Sequence, residues 1–295
     1  ELSFERLGCD RLDLLAIHGI NLPEHLEQTL QPGGCMEVVR HWQADGRIGH
    51  VGFSTHGPTA LIAEACDSGA FDYVNLHWYY IRQDNSPALD AARRQDMGVF
   101  IISPTDKGGH LHTPSQRLLE LCAPLHPIVF NDLFCLQDPR VHTISVGAAR
   151  PEDLELHLEA LHLLPDAASL IPPLDQRLRQ AADEALGSDW MATWSVGLPP
   201  WHATPGEINL PVLLWLYNLL EAWDLESYAK ARYGLLGSGG HWFAGANADG
   251  FDGEISVEEL QRVLQESPWR QRIPEILRSL KHRLKGESQM RLSSV

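Results

Sequence analysis

The chain has 295 residues, 44% hydrophobic and 21% charged, enough for one large α/β domain and a smaller one, and too apolar for wholesale disorder. A formal net charge of −16 repels phosphate backbones and anionic lipid surfaces, so neither nucleic acid nor a membrane is an expected partner. No apolar run reaches the ~20 residues of a membrane helix, no basic-then-apolar leader opens the chain, and the five scattered cysteines read as reduced thiols of a cytoplasmic protein.

In chain order, a short helix over 2–7 comes first; a start inside a helix and without Met points to a processed or truncated beginning. Apolar runs follow at 12–17, 50–54, 73–77, 99–103 and 143–146, separated by amphipathic stretches at 35–45, 58–68, 86–95, 114–123 and 151–161. Strands alternating with helices of this length imply βαβ units and a parallel sheet. Gly46, Gly69 and Gly98 each stand between a helical stretch and the next strand, where a left-handed residue commonly ends the helix. A closed barrel needs eight strands. The expectation is therefore an α/β fold, a (β/α)8 TIM barrel that is N-terminally incomplete with about five βα units; a five-stranded open sheet is the rival.

Residues 163–175 are punctuated by proline and are expected to separate a barrel part, 1–165, from a mostly α-helical C-terminal domain, 166–295. That domain reads as a charged helix at 176–186, a Trp/Pro/Gly-rich loop at 190–207, an apolar helix at 210–220 and a further helix at 226–236. A Gly-rich loop at 237–253 and a basic amphipathic helix at 268–285 follow. Asp252, Gly253 and Glu259 resemble the second half of a calcium loop, but Ala248 and Gly250 at its first ligand places offer no side-chain oxygen. A capping box of Ser256 and Glu259 is the expectation instead. The histidine pairs 110/112 and 157/162 do not converge on one ion, so no metal site is expected.

Functional side chains of parallel barrels collect at the C-terminal ends of strands. Here that gathers His18, Ser54, Thr55, His77 and Ser103 at one mouth. A neutral imidazole at position 18, beside the uncrowded Gly19, can donate a hydrogen bond to a carbonyl oxygen and polarise it. The Asp106-Lys107-Gly108-Gly109-His110 loop either offers N–H groups to a pyrophosphate or is a flexible turn.

Five segments, in this order and spacing, resemble the successive strands of the aldo/keto reductases. They are Asp13-Leu14-Leu15-Ala16-Ile17-His18, residues 46–54 ending in Gly52-Phe53-Ser54, Phe71-Asp72-Tyr73-Val74-Asn75-Leu76, residues 98–104 ending in Ser103-Pro104, and Ile144-Ser145-Val146-Gly147-Ala148 with Pro151-Glu152-Asp153-Leu154. The resemblance implies an oxidoreductase that passes a hydride between a nicotinamide cofactor and a small carbonyl or alcohol. It assigns His18 as the catalytic residue that orients the substrate oxygen. Ser54, Thr55, Asn75, Ser103, Gly147, Arg150, Asp153 and His157 are assigned to cofactor binding. The family implies NADP. Asp153 stands where Arg or Gln is common, and His157 where an adenine-binding Asn is common, so NAD becomes an alternative, with Arg150 the nearby cation. The Tyr, Lys and Asp of the family's tetrad come from βα units outside this sequence, so the fragment alone is expected to be inactive. The alternative is a non-catalytic binding or scaffold protein of the same descent. The C-terminal part resembles a ferredoxin-like extension in which Trp194, Gly197 and Pro200 occupy cysteine places; no iron–sulfur cluster is expected, and tryptophans including Trp190, Trp201, Trp215, Trp223 and Trp242 take over the packing.

Overall fold

The computed structural model describes residues 2–148, 150–238 and 243–286; Trp242 lies outside them. The chain divides into two compact units, one of residues 1–108 and 128–168, the other of residues 109–127 and 169–295.

The first unit holds a five-stranded all-parallel sheet in the order β1-β2-β3-β4-β5. Its strands are β1 (Leu12–Ile17), β2 (Ile48–Ser54), β3 (Tyr73–Leu76), β4 (Gly98–Ile102) and β5 (Thr143–Ser145). Helices α1 (Leu2–Leu7), α2 (Pro23–Leu30), α3 (Cys35–Ala44), α4 (Thr59–Asp67), α5 (Ser86–Arg94), α6 (Pro104–Lys107), α8 (Pro127–Leu136) and α9 (Asp153–Leu163) lie between or beside them. Period-two alternation gives the sheet two unlike faces. Val51, Phe53, Val74, Leu76, Val99 and Ile101 are buried against Met36, Val39, Ile62, Ala65, Leu89 and Ala92 of the helices in one core. The opposite face carries Leu14, which is 47% exposed, and the part-buried Ser54, Asn75, Phe100 and Ile102.

Gly46 and Gly69 take the left-handed conformation expected of them (φ 74° and 68°). At the third place Asp96, not Gly98, is left-handed (φ 54°). Gly98 already lies in β4, where an added Cβ would meet Tyr73 Cβ at 3.2 Å; it is a close-packing glycine. Gly52 has the same role: a Cβ there would stand 2.5 Å from the Tyr73 ring.

The second unit is helical: α7 (Gln116–Cys122), α10 (Ala167–Leu186), α11 (Ser188–Thr193), α12 (Leu210–Trp223), α13 (Glu226–Tyr233), α14 (Val257–Val263) and α15 (Ile273–Leu284). The prolines expected to break the chain at 172 and 173 lie inside α10. Two hydrogen bonds are forgone there. The buried stripe of Ile171, Leu174, Leu178 and Ala182 keeps the helix continuous, as tertiary burial commonly overrides propensity. Trp190, fully buried, donates from Nε1 to Asn218 Oδ1 at 2.6 Å in the apolar α12. Ser256 and Glu259 form the expected capping box at the start of α14. Among the described residues no single helix is long and apolar enough to cross a membrane, and no group of three or more His, Cys, Asp or Glu side chains is placed to hold a metal ion.

Candidate functional site

All five strands run parallel, so their carboxyl ends share one edge of the sheet. Register then decides which side chains meet. Ser54 pairs with Asn75, and Asn75 with Phe100, so these share a face. His18, next after the Ile17–Phe53 pair, falls opposite Ser54. The imidazole Nδ1 of His18 lies 2.9 Å from Ser54 Oγ, and that oxygen also accepts the Gly19 N–H at 3.2 Å. Gly19 is left-handed (φ 80°), which turns the chain sharply off the strand. An open cleft of about 420 Å³ beside His18 is lined by His25, Gln28, Thr29 and Cys35 among others.

Thr55 is buried, and its hydroxyl donates to the Ile20 carbonyl at 2.6 Å, so its side chain braces the loop. Ser103, left-handed (φ 53°), donates its N–H to Ser145 C=O at 3.1 Å and joins the ends of β4 and β5. Gly147 is exposed beyond β5. At the far end the expected cofactor groups are turned inward. Asp153 is 1% exposed; its carboxylate accepts the Arg150 backbone N–H at 3.0 Å and lies 3.5 Å from the Arg150 guanidinium. His157 is buried in α9, with Nδ1 2.5 Å from Asp132 Oδ2 of α8. Burial works against a charged His157, but the bond and charge of Asp132 outweigh it and hold the imidazole above its ordinary pKa. Burial likewise raises the Asp132 carboxyl beyond what its bond to His157 takes back. Asp132 Oδ1 and His157 Nε2 have no hydrogen-bond partner among the described residues.

A second set of polar groups lies at the same edge; His77 is the one member that the strand-end pattern singles out in the sequence, and His56 and Tyr79 are not. His56 Nδ1 lies 2.7 Å from His77 Nε2, His77 Nδ1 lies 2.5 Å from the Tyr79 hydroxyl, and that hydroxyl donates to the Ile102 carbonyl. The two imidazoles stack with centroids 4.6 Å apart. His77 is 2% exposed. Burial first, then the charges of Lys107, His56 and Arg82, push its pKa well below the ordinary histidine value, so His77 is neutral. The available signal was their position just past the ends of β2 and β3. Asp132 was signalled only as a carboxylate beside Asn131 in the mostly apolar run Pro127-Ile128-Val129-Phe130-Asn131-Asp132-Leu133-Phe134.

No protein-family model and no curated protein matches the chain. Among solved structures it is similar to the aldo-keto reductase AKR11C1 of Bacillus halodurans. With the holo form it shares 16% identity over 59% of this chain and 64% of that one, with a TM-score of 0.49. With the apo form the identity is again 16%, over 58% and 66%, with a TM-score of 0.44. It is also similar to PA4992, described as an aldo-keto reductase of Pseudomonas aeruginosa, at 17% identity over 60% of this chain and 55% of that one, TM-score 0.36. The chain thus spans less than two thirds of the length of the first of these solved structures.

Proposed function

We propose that the chain is the carboxyl-terminal part of an aldo/keto reductase-type oxidoreductase. In this reading the five-stranded sheet is part of a (β/α)8 barrel, and residues 166–295 are a ferredoxin-like extension that has lost its cluster ligands. The protein is cytoplasmic and acts on a small carbonyl or alcohol. One observation carries the reading: His18, Ser54 and Asn75, assigned to one site from three separate motifs, fall in a single register row at the carboxyl edge of a parallel sheet.

His18 would orient the substrate oxygen. Ser54 Oγ accepts the Gly19 N–H; in this reading its own hydrogen goes to His18 Nδ1, 2.9 Å away. The His18 proton is then on Nε2, ready to be donated to a carbonyl oxygen. The nicotinamide end of a dinucleotide suits the half-buried amide of Asn75 on the same face. A 2′-phosphate suits the other end poorly, because Arg150 is drawn to Asp153 and two buried carboxylates, Asp132 and Asp153, lie there. This supports NAD over NADP. A bound nicotinamide supplies or accepts the hydride; the chain's own residues position the oxygen and exclude the larger cofactor. Catalysis by the chain alone is not expected, because no Tyr, Lys and Asp set matches the family's motifs.

Fluorescence titration with NADH and NADPH tests the reading. NADH is expected to bind at least about tenfold tighter, a difference of about 1.4 kcal/mol. A chain that binds neither favours the non-catalytic scaffold, a reading to which the inward-turned Asp153 and His157 lend weight.

A further inference from the structure

One wall of the cleft beside His18 is made by α2 and α3, which bring Gln28, Thr29 and Cys35 to it. The link back to His18 runs through the loop between. His25 Nδ1 lies 3.0 Å from the carbonyl of Gly19, the residue after His18. Gln28 follows His25 by three positions in α2, so the two side chains share a face of the helix, with Cβ atoms about 5–6 Å apart.

The polar groups of this wall are not equivalent. The Thr29 hydroxyl donates to the His25 carbonyl at 2.7 Å, so towards a ligand it can only accept. Gln28 is exposed, and its side-chain amide has no partner among the described residues. That amide offers a donor and an acceptor together. Ile17 and the buried Ile20 supply apolar surface. Among the described residues that line the cleft there is no Asp, Glu, Lys or Arg. Its one fixed positive feature is the start of α3 at Cys35, which has no capping side chain. That helix end is already matched, because the Glu37 carboxylate stands in its first turn and accepts the Gly33 N–H at 2.8 Å. A carboxylate or phosphate on a ligand would find no cation here and would be repelled by Glu37. An ammonium would find no carboxylate in the lining.

We propose that Gln28 is the specificity-determining residue of this cleft, and that the substrate is an uncharged ketone, or its alcohol, with a second hydrogen-bonding group about one helical turn, roughly 5 Å, from the reacting oxygen. The proposal rests on the nicotinamide reading above and deepens it. His18 holds the reacting oxygen. The Gln28 amide holds the second group, donating to a carbonyl or accepting from a hydroxyl or an amide. A cleft of about 420 Å³ suits a compound of this size. A ketone without the second group leaves the Gln28 amide to water. One that is charged there loses hydration with no counter-charge in return.

The test reads binding and needs no turnover. With NADH present, levulinamide, 2-hexanone, levulinate and acetonyltrimethylammonium are titrated into the labelled chain and followed in 1H–15N spectra. Levulinamide is expected to shift both the Gln28 side-chain amide signals and the His18 ring signals. Its Kd should lie about fivefold or more below that of 2-hexanone, the worth of one net hydrogen bond, with the two charged ketones weaker still. Gln28→Leu, verified as folded by circular dichroism, should erase the advantage of levulinamide and bind 2-hexanone no more weakly. Equal weakening of both ketones would mark a merely structural role and overturns the proposal. So do levulinamide shifts at His18 without shifts at Gln28, a charged ketone that binds as tightly as levulinamide, an advantage that survives Gln28→Leu, and no levulinamide binding at all. NADH binding is read separately by nicotinamide fluorescence. If it fails while levulinamide still shifts Gln28 and His18, the nicotinamide reading falls and the assignment of Gln28 stands.

Discussion

Replacing His157 by Ala removes one member of a pair that lies almost wholly inside the first unit. Asp132 is 1% exposed and His157 8%, with 2.5 Å between Oδ2 and Nδ1. The variant leaves the carboxylate buried with no counter-group, and cutting a buried pair this way costs about 3–5 kcal/mol. At roughly 2–4 °C per kcal/mol for a unit of this size, the melting temperature should fall by about 6–20 °C. The pH dependence gives a second, sharper readout. The folded chain holds the His157 proton more tightly than the unfolded chain does. That stabilisation is complete below the ordinary histidine pKa and is lost as pH rises through the higher folded value. The raised Asp132 carboxyl acts in the same sense in a more acidic window. His77 acts oppositely: its pKa is depressed, so stability is lost as pH falls below the ordinary histidine value. The wild type should therefore be most stable near that value, and the alkaline decline should vanish in the variant. Calorimetry across neutral pH measures both. A fall of less than about 2 °C, or an alkaline decline that survives the substitution, refutes the assignment of His157 and Asp132 as a buried ion pair.

Asn218→Leu leaves the fully buried Trp190 N–H without its acceptor and should cost about 1–3 kcal/mol in urea unfolding of the second unit; a neutral result would mean the indole finds another partner. Ser256→Ala removes the side chain that accepts the Glu259 N–H at 3.2 Å and should cost about 1 kcal/mol, while added calcium leaves the same transition unmoved. Gly52→Ala drives a Cβ into the Tyr73 ring and should destabilise the sheet by about 1–3 kcal/mol, relieved in part by Tyr73→Leu.

What the sequence disclosed about this molecule follows the range of the forces involved. The strands were legible because one face of each is buried, and burial writes a local pattern: Val51 and Phe53, Val74 and Leu76, Val99 and Ile101. His18 and Ser54 stand out in the sequence because each lies at the end of such a strand, and a parallel sheet brings those ends to one edge; Asn75, inside the run 73–77, is marked only by the family resemblance. Four helices escaped, the short α6 and α11 inside stretches read as loops, and the longer α2 and α8. α8 is apolar all round except for the buried Asn131 and Asp132, so it carries no clear period, and α2 starts at Leu22-Pro23 with no capping side chain to mark it. The roles of Asp153 and His157 escaped for a different reason. A carboxylate reads as an exposed anion until its partner is known, and the partner of His157 is 25 positions upstream on another helix. The same holds for the histidine pair: His56 meets His77, His77 meets Tyr79, and the Tyr79 hydroxyl donates to a carbonyl of β4 at position 102. Each link is an ordinary hydrogen bond between residues that no spacing rule connects. The protonation state of this edge is therefore a property of the folded sheet, and residues whose chemistry it sets are found only by following the donors and acceptors through space.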